Sequence, residues 1–119
     1  MFTEERIVLY KESLERAIRE NETFVIFDEP GSGKFVQFVV QPLDGNITVD
    51  IPMEELTETT FNWLKPHMGT ATDQMGEVVS LQKVIQIQST QYAAEYTEWI
   101  FTKIFQLPDT HDVSVNMFS

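Results

Sequence analysis

Cysteine is missing from this 119-residue chain, which excludes disulfides, cysteine-ligated zinc and thiol catalysis. Basic residues are scarce, eight against nineteen acidic ones for a formal charge of −11. The shortage is uneven: through Glu22 there are six acids and four bases, whereas from Thr23 onward only Lys34, Lys65, Lys83 and Lys103 face thirteen acids. An anionic body repels phosphate backbones and anionic lipid, so neither nucleic acid nor a membrane is expected as a partner. Solubility or a basic protein partner is what such a surface suits. Long apolar runs are lacking too; none approaches the roughly 20 residues that span a bilayer. The start, MFTEERIVLY, has no basic-then-apolar leader pattern, and a cytoplasmic location is expected. Histidine occurs twice, at His67 and His111, and neither stands in a recognisable arrangement with a serine nucleophile.

One stretch looks like chemistry. Asp28–Phe38, DEPGSGKFVQF, has the glycines and lysine of a phosphate loop. That motif, G-x-x-x-x-G-K-[ST], needs a glycine five places before Gly33 and a hydroxyl after Lys34, but Asp28 and Phe35 stand there. A phosphate loop also opens a helix whose N-terminus faces the anion, whereas KFVQFVVQ is β-branched and aromatic. The segment reads as a hairpin turn between two strands.

The remaining pattern predicts a single α+β domain over residues 1–119, ordered α-β-β-β-α-β-α. In TEERIVLYKESLERAIREN, Ile7, Tyr10, Leu14, Ala17 and Ile18 share one helical face, with Thr3 as N-cap. Glu12 with Arg16 and Glu15 with Arg19 are spaced for surface pairs. TFVIFD, a continuous apolar run, reads as a strand covered on both faces. In the next strand Val36, Phe38 and Val40 point one way and Phe35, Gln37, Val39 and Gln41 the other. NITVDI alternates in the same manner and completes a three-stranded antiparallel meander. A second helix is expected from Met53 to Lys65, stopped by Pro66, and HMGTATDQMGE reads as a mobile loop. VVSLQKVIQIQ is a long strand, or a split one if it bends at Lys83. A last helix starts near Thr90, capped by Ser89 or Thr90. Its polar stripe of Gln91, Glu95, Glu98, Thr102 and Gln106 is narrow against a wide apolar arc. The tail offers an edge strand at Val113–Phe118.

No residue stands out as catalytic, cofactor-binding or metal-binding. Asp109, His111 and Asp112 form a short polar cluster typical of solvated turns, and Glu54 with Glu58 reads as an exposed helix face rather than an acid and base dyad. Aromatic residues such as Phe61, Trp63, Tyr92, Trp99 and Phe101 are more often core than ligand stackers.

The element order, the TEERIVLYKESLERAI helix, the FVIFDEPGSGKFVQFVV hairpin and the closing YAAEYTEWIFTKIF helix resemble the type III secretion chaperone-like fold, shared with YbjN-like bacterial proteins. The resemblance implies a non-catalytic domain, often a homodimer, that holds a partner polypeptide along its sheet or an apolar helix face. This chain departs from that pattern in showing no clear pair of short strands after the second helix. The expected function is therefore a chaperone- or adaptor-like protein-binding module without cofactor, contacting a protein or peptide through Phe35, Val39, Trp63, Trp99 and Phe101. Two other readings remain open: a small-ligand binder or enzyme with a pocket between sheet and helices, gated by Met68–Glu77, and an acidic decoy for a basic partner.

Overall fold

The structure is a computed structural model that describes residues 1–119. Helix α1 spans Thr3–Arg19 and buries Arg6, Tyr10, Ser13, Leu14 and Ala17, the side chains that 3.6-residue periodicity stacks on one face. Its N-cap is Phe2, not Thr3: the Glu5 carboxylate turns back to accept the Phe2 N–H at 3.1 Å. Neither expected surface pair forms in α1. Arg16 Nε instead donates to Glu20 at 3.0 Å, and Glu15 accepts the Thr90 hydroxyl at 3.2 Å.

Strands β1 (Phe24–Asp28), β2 (Phe35–Gln41) and β3 (Asn46–Pro52) form the antiparallel meander the alternation predicts. The β1–β2 turn is held by Glu29, whose carboxylate accepts the Gly31 and Ser32 N–H groups at 2.8 and 2.7 Å. These groups, with the Ser32 hydroxyl first among them, hold the Glu29 carboxyl below the usual carboxylate range. Gly33 has φ +74°, a left-handed conformation that glycine adopts without strain. A strand, not a helix, follows Lys34, as the hairpin reading requires.

The second helix is shorter than the periodicity suggests. A 3₁₀ turn at Met53–Glu55 is followed by an extended Leu56, and α2 begins only at Glu58, running to Leu64. Thr57 caps it, its hydroxyl accepting the Thr60 N–H at 3.1 Å while the Thr60 hydroxyl accepts the Thr57 N–H at 2.8 Å. That reciprocal cap is a strong local start signal. Pro66 does not halt the chain outright; it sits in a further 3₁₀ turn, Lys65–His67.

The expected mobile loop is half strand. Gly69–Thr72 forms β4, paired with β5 (Val78–Gln86). The Asp73 carboxylate closes the hairpin by accepting the Met75 and Glu77 N–H groups at 2.8 and 3.0 Å. Strand β5 is one continuous element, and its irregularity lies not at Lys83 but at Val79, an extra residue opposite the Ala71–Thr72 step of β4. Helix α3 covers Thr90–Trp99 and continues as a π-helical turn, Ile100–Ile104. The tail adds β6, Ser114–Phe118, on the free edge of β1.

The six strands make one antiparallel sheet in the order β4-β5-β3-β2-β1-β6. One face, carrying Val25, Phe27, Val36, Phe38, Ile47, Val49, Ile51, Leu81 and Ile85, is sealed with Tyr10, Leu14, Ala17, Leu64, Ala93, Ala94, Ile100 and Phe101 from the helices into a cluster of 20 buried apolar residues. Tyr10 meets Phe27 edge-on at 4.9 Å. The molecule measures 36 × 36 × 22 Å. Its thin dimension fits one sheet layer and one helix layer of about 10 Å each. Strand β1 is therefore covered on one face only, contrary to its continuous apolar run. A run of this kind marks burial on both faces when helices flank a parallel sheet, but here the other face stays open.

Candidate functional site

Cross-strand register fixes what the open face presents. Phe118, Phe24, Val39, Thr48 and Val84 lie in one row across β6, β1, β2, β3 and β5. A second row holds Asn116, Ile26, Gln37, Asp50 and Gln82, and Phe35 lies opposite Asp28 at the end of β2. Phe24, Ile26, Phe35 and Val39 are half-buried by their neighbours alone, while Val84 and Phe118 are 62% and 46% exposed. The Phe24 and Phe118 rings sit 5.2 Å apart. These side chains form an apolar crescent on a surface that also offers amide and hydroxyl groups.

The polar part of the face is internally organised. Asp50 accepts the Gln82 amide at 2.8 Å and the Gln37 amide at 3.3 Å, one on each carboxylate oxygen. Thr48 donates to Gln41 at 2.8 Å. Beside them a groove of about 390 Å³ is lined by Val39, Gln41, Asp44, Asn46, Thr48, Gln82 and Val84.

A second exposed surface lies on the helix side. Tyr92, Tyr96 and Trp99 follow one another along α3 at spacings of four and three residues, which places them on one face. Their ring centroids are 5.9 and 5.4 Å apart, and His67 packs edge-on against Trp99 at 4.8 Å. The Tyr96 hydroxyl donates to the His67 carbonyl at 3.3 Å, and burial, with the neighbouring Tyr92, pushes its pKa up to about 12. Lys83, whose charge suggested a break in β5, stays in the strand because its ammonium reaches the Tyr96 and Tyr92 rings at 5.5 and 6.0 Å. Trp63 on α2 is 44% exposed.

The five residues expected to contact a partner are thus divided. Phe35 and Val39 share the open sheet face, and Trp63 and Trp99 lie on the helix side. Phe101 is corrected: it is fully buried in the core, stacked near Tyr10 at 6.2 Å, and has no surface to offer. Among the aromatics expected in the core, Phe101 alone is fully buried; Trp63 and Tyr92 are exposed, and Phe61 and Trp99 are half-buried. Sequence reasoning missed Phe24, Ile26, Val84 and Phe118. The signal for the first two was present, since a four-residue apolar strand must send alternate side chains to opposite faces.

Glu98 departs furthest from expectation. In place of a solvated stripe it occupies a buried position, where Arg6 Nη2 and Nε donate to its carboxylate at 2.6 and 2.9 Å. The guanidinium of Arg6, itself fully buried, also donates to the Met1, Asp109 and His111 carbonyls. The Glu98 hydrogen bond holds the Arg6 pKa above its usual value, and burial, followed by the Glu98 charge, pushes the Tyr10 hydroxyl well above its own. The arrangement pins the N-terminus, α3 and the segment before β6 to one another. Asp109, His111 and Asp112 turn to different partners: Asp109 gives its carbonyl to Arg6, His111 Nδ1 lies 2.7 Å from the Pro108 carbonyl, and Asp112 pairs with the terminal amine at 3.2 Å. No group of three acidic or histidine side chains is close enough to hold a metal ion.

Fold and surfaces together define an α+β protein whose six-stranded sheet is backed by helices on one side and bare on the other. Comparison with family models, curated proteins and solved structures gives no match. No helix is long and apolar enough to cross a membrane.

Proposed function

We propose that the chain is a non-enzymatic protein-binding module, chaperone- or adaptor-like, that seats a partner polypeptide on the open face of its sheet. The observation that carries this reading is the crescent of Phe24, Ile26, Phe35, Val39 and Phe118 on the face opposite the core, with Val84 at the end of the same row. Apolar side chains gathered in one place on an uncovered sheet are the usual mark of a contact surface. The aromatic surface of α2 and α3 lies on the other side and gives the module a separate place to pair with a second copy of itself. A cytoplasmic setting belongs to the same reading. A ligand pocket between sheet and helices has less support, because that space is filled by the 20-residue core.

Affinity purification with the intact chain, compared with Val39→Gln and with Phe118→Gln, tests the reading. Both positions lie on the open face, so the variants should keep the native circular dichroism while losing the captured polypeptides. Equal capture by all three chains removes the sheet face from consideration. In parallel, light scattering should give the mass of a dimer for the intact chain and of a monomer for Trp63→Ala with Trp99→Ala.

A further inference from the structure

The charges on the open face are one-sided. Its strand positions include only Asp28 and Asp50 among charged residues, and none of the eight basic side chains. Lys83 points to the core side with Val49, its register partner, Lys34 donates to the Glu55 carbonyl at 3.1 Å and lies 5.6 Å from the Phe105 ring, and Lys65 sits over Phe61 at 5.7 Å. Arg6 is buried against Glu98, and Lys11, Arg16, Arg19 and Lys103 are carried by the helix layer.

The two strand acids differ. Each oxygen of Asp50 already accepts one glutamine amide. Asp28 lacks such partners: its Oδ1 is shut away from solvent and receives no hydrogen bond, a costly state for a carboxylate oxygen. At the far end of β2, Asp44 is exposed and contributes to the rim of the groove beside Val39. Asp28 stands level with Phe35 and Asp44 lies just beyond Gln41. At 3.3 Å per residue the two carboxylates are about 20 Å apart along the strand, with Phe35 beside the first and Val39 between them.

We propose, resting on the protein-binding reading above, that the partner segment seated here is basic and amphipathic: an apolar middle over Phe35, Val39 and Phe24, with a lysine or arginine at each end meeting Asp28 and Asp44. A helical segment covers about 20 Å in about 13 residues. Such a partner brings positive charge beside the half-buried Asp28 and the exposed Asp44 and gains from the anionic surroundings on approach. A second copy of this chain does neither, since two such faces bring acid against acid.

Three labelled synthetic peptides of about 18 residues, enough to cover the face as a helix, provide the test. They share one apolar pattern, and their polar ends carry lysine, glutamine or glutamate; binding to the intact protein is followed by fluorescence anisotropy. The lysine peptide should bind about tenfold more tightly than the glutamine peptide, and the glutamate peptide more weakly than both. Asp44→Lys and Asp28→Asn should each weaken the lysine peptide about tenfold, whereas Glu12→Lys, on the exposed side of α1, should change it less than about twofold. A Glu12→Lys loss equal to that of Asp44→Lys means diffuse charge attraction and overturns the proposal. If the lysine and glutamine peptides bind alike and Val39→Gln abolishes both, the basic partner is refuted while the docking face stands. If Val39→Gln alters none of the three, the docking face itself is refuted.

Discussion

Arg6 is the residue whose placement is hardest to reconcile with its chemistry, and its surroundings show how the cost is met. A guanidinium out of water needs a countercharge and several acceptors. Glu98 supplies the charge, and three carbonyls together with the Thr3 hydroxyl supply the rest. Removing one partner should be far worse than removing both. Arg6→Met, which strands the Glu98 carboxylate, is expected to cost about 3–5 kcal/mol, whereas the double change Arg6→Met with Glu98→Leu should recover much of that loss. Urea denaturation of the four members of the cycle measures it, and a cost below about 1 kcal/mol for Arg6→Met would show that the cluster does not hold the termini. The position was legible in part: Arg6, Tyr10, Leu14 and Ala17 keep one helical phase, so a base lies in line with the buried stripe. What no pattern along α1 could reveal was the partner, ninety-two residues further along the chain.

At the scale of elements, α3 combines two faces, one in the core through Ala93, Ala94, Thr97 and Ile100, the other displaying Tyr92, Tyr96 and Trp99. The display side should be visible in the alkaline limb of stability. The Tyr96 hydroxyl titrates near 12 in the folded chain, above the usual tyrosine value of about 10. A raised folded pKa means that the associated stability is fully present below pH 10 and is lost as pH rises from about 10 to about 12. The loss is up to about 2 kcal/mol, reduced by the partial exposure of the ring. Tyr96→Phe should make that stretch of a pH titration followed by thermal unfolding less steep, the buried Tyr10 hydroxyl supplying the slope that remains, and an unchanged slope would place the effect elsewhere. The wide apolar arc of this helix was plain from its sequence. Its division between core and surface was not, because Trp99 and Phe101 differ by only two positions and both are large aromatic residues that core and surface accept. The same limit explains the second helix: Met53 and Leu56 keep the helical period, yet the Thr57 cap decides where α2 begins. The β4 strand escaped notice because GTAT has no apolar alternation, and its register comes from β5 and the Asp73 turn.

For the molecule as a whole, the sheet has two edges, and one of them depends on the chain's last residues. Strand β1 carries four consecutive apolar residues, Phe24–Phe27, and its outer backbone groups are occupied by β6, in register from Phe118 opposite Phe24 to Ser114 opposite Asp28. With Ser114–Ser119 deleted, those N–H and C=O groups become a free edge on the most apolar strand, the kind of edge that recruits another chain. Arg6 and the carbonyls it binds all precede the cut, so the helix layer and core should persist. A formal charge of −11 opposes such pairing between copies, and its reach is set by salt, with a screening length of about 30 Å at 0.01 M and about 10 Å at 0.1 M. The truncated chain should therefore stay at the mass of the full chain at about 0.01 M salt and grow beyond it at about 0.1 M and above. Light scattering reads both states directly, and the full chain should hold one mass throughout. Growth that ignores salt would mean that surface charge does not guard the sheet. No growth at all would mean that β1 needs no cover, and the role of β6 would then be limited to placing Phe118 beside Phe24 on the open face.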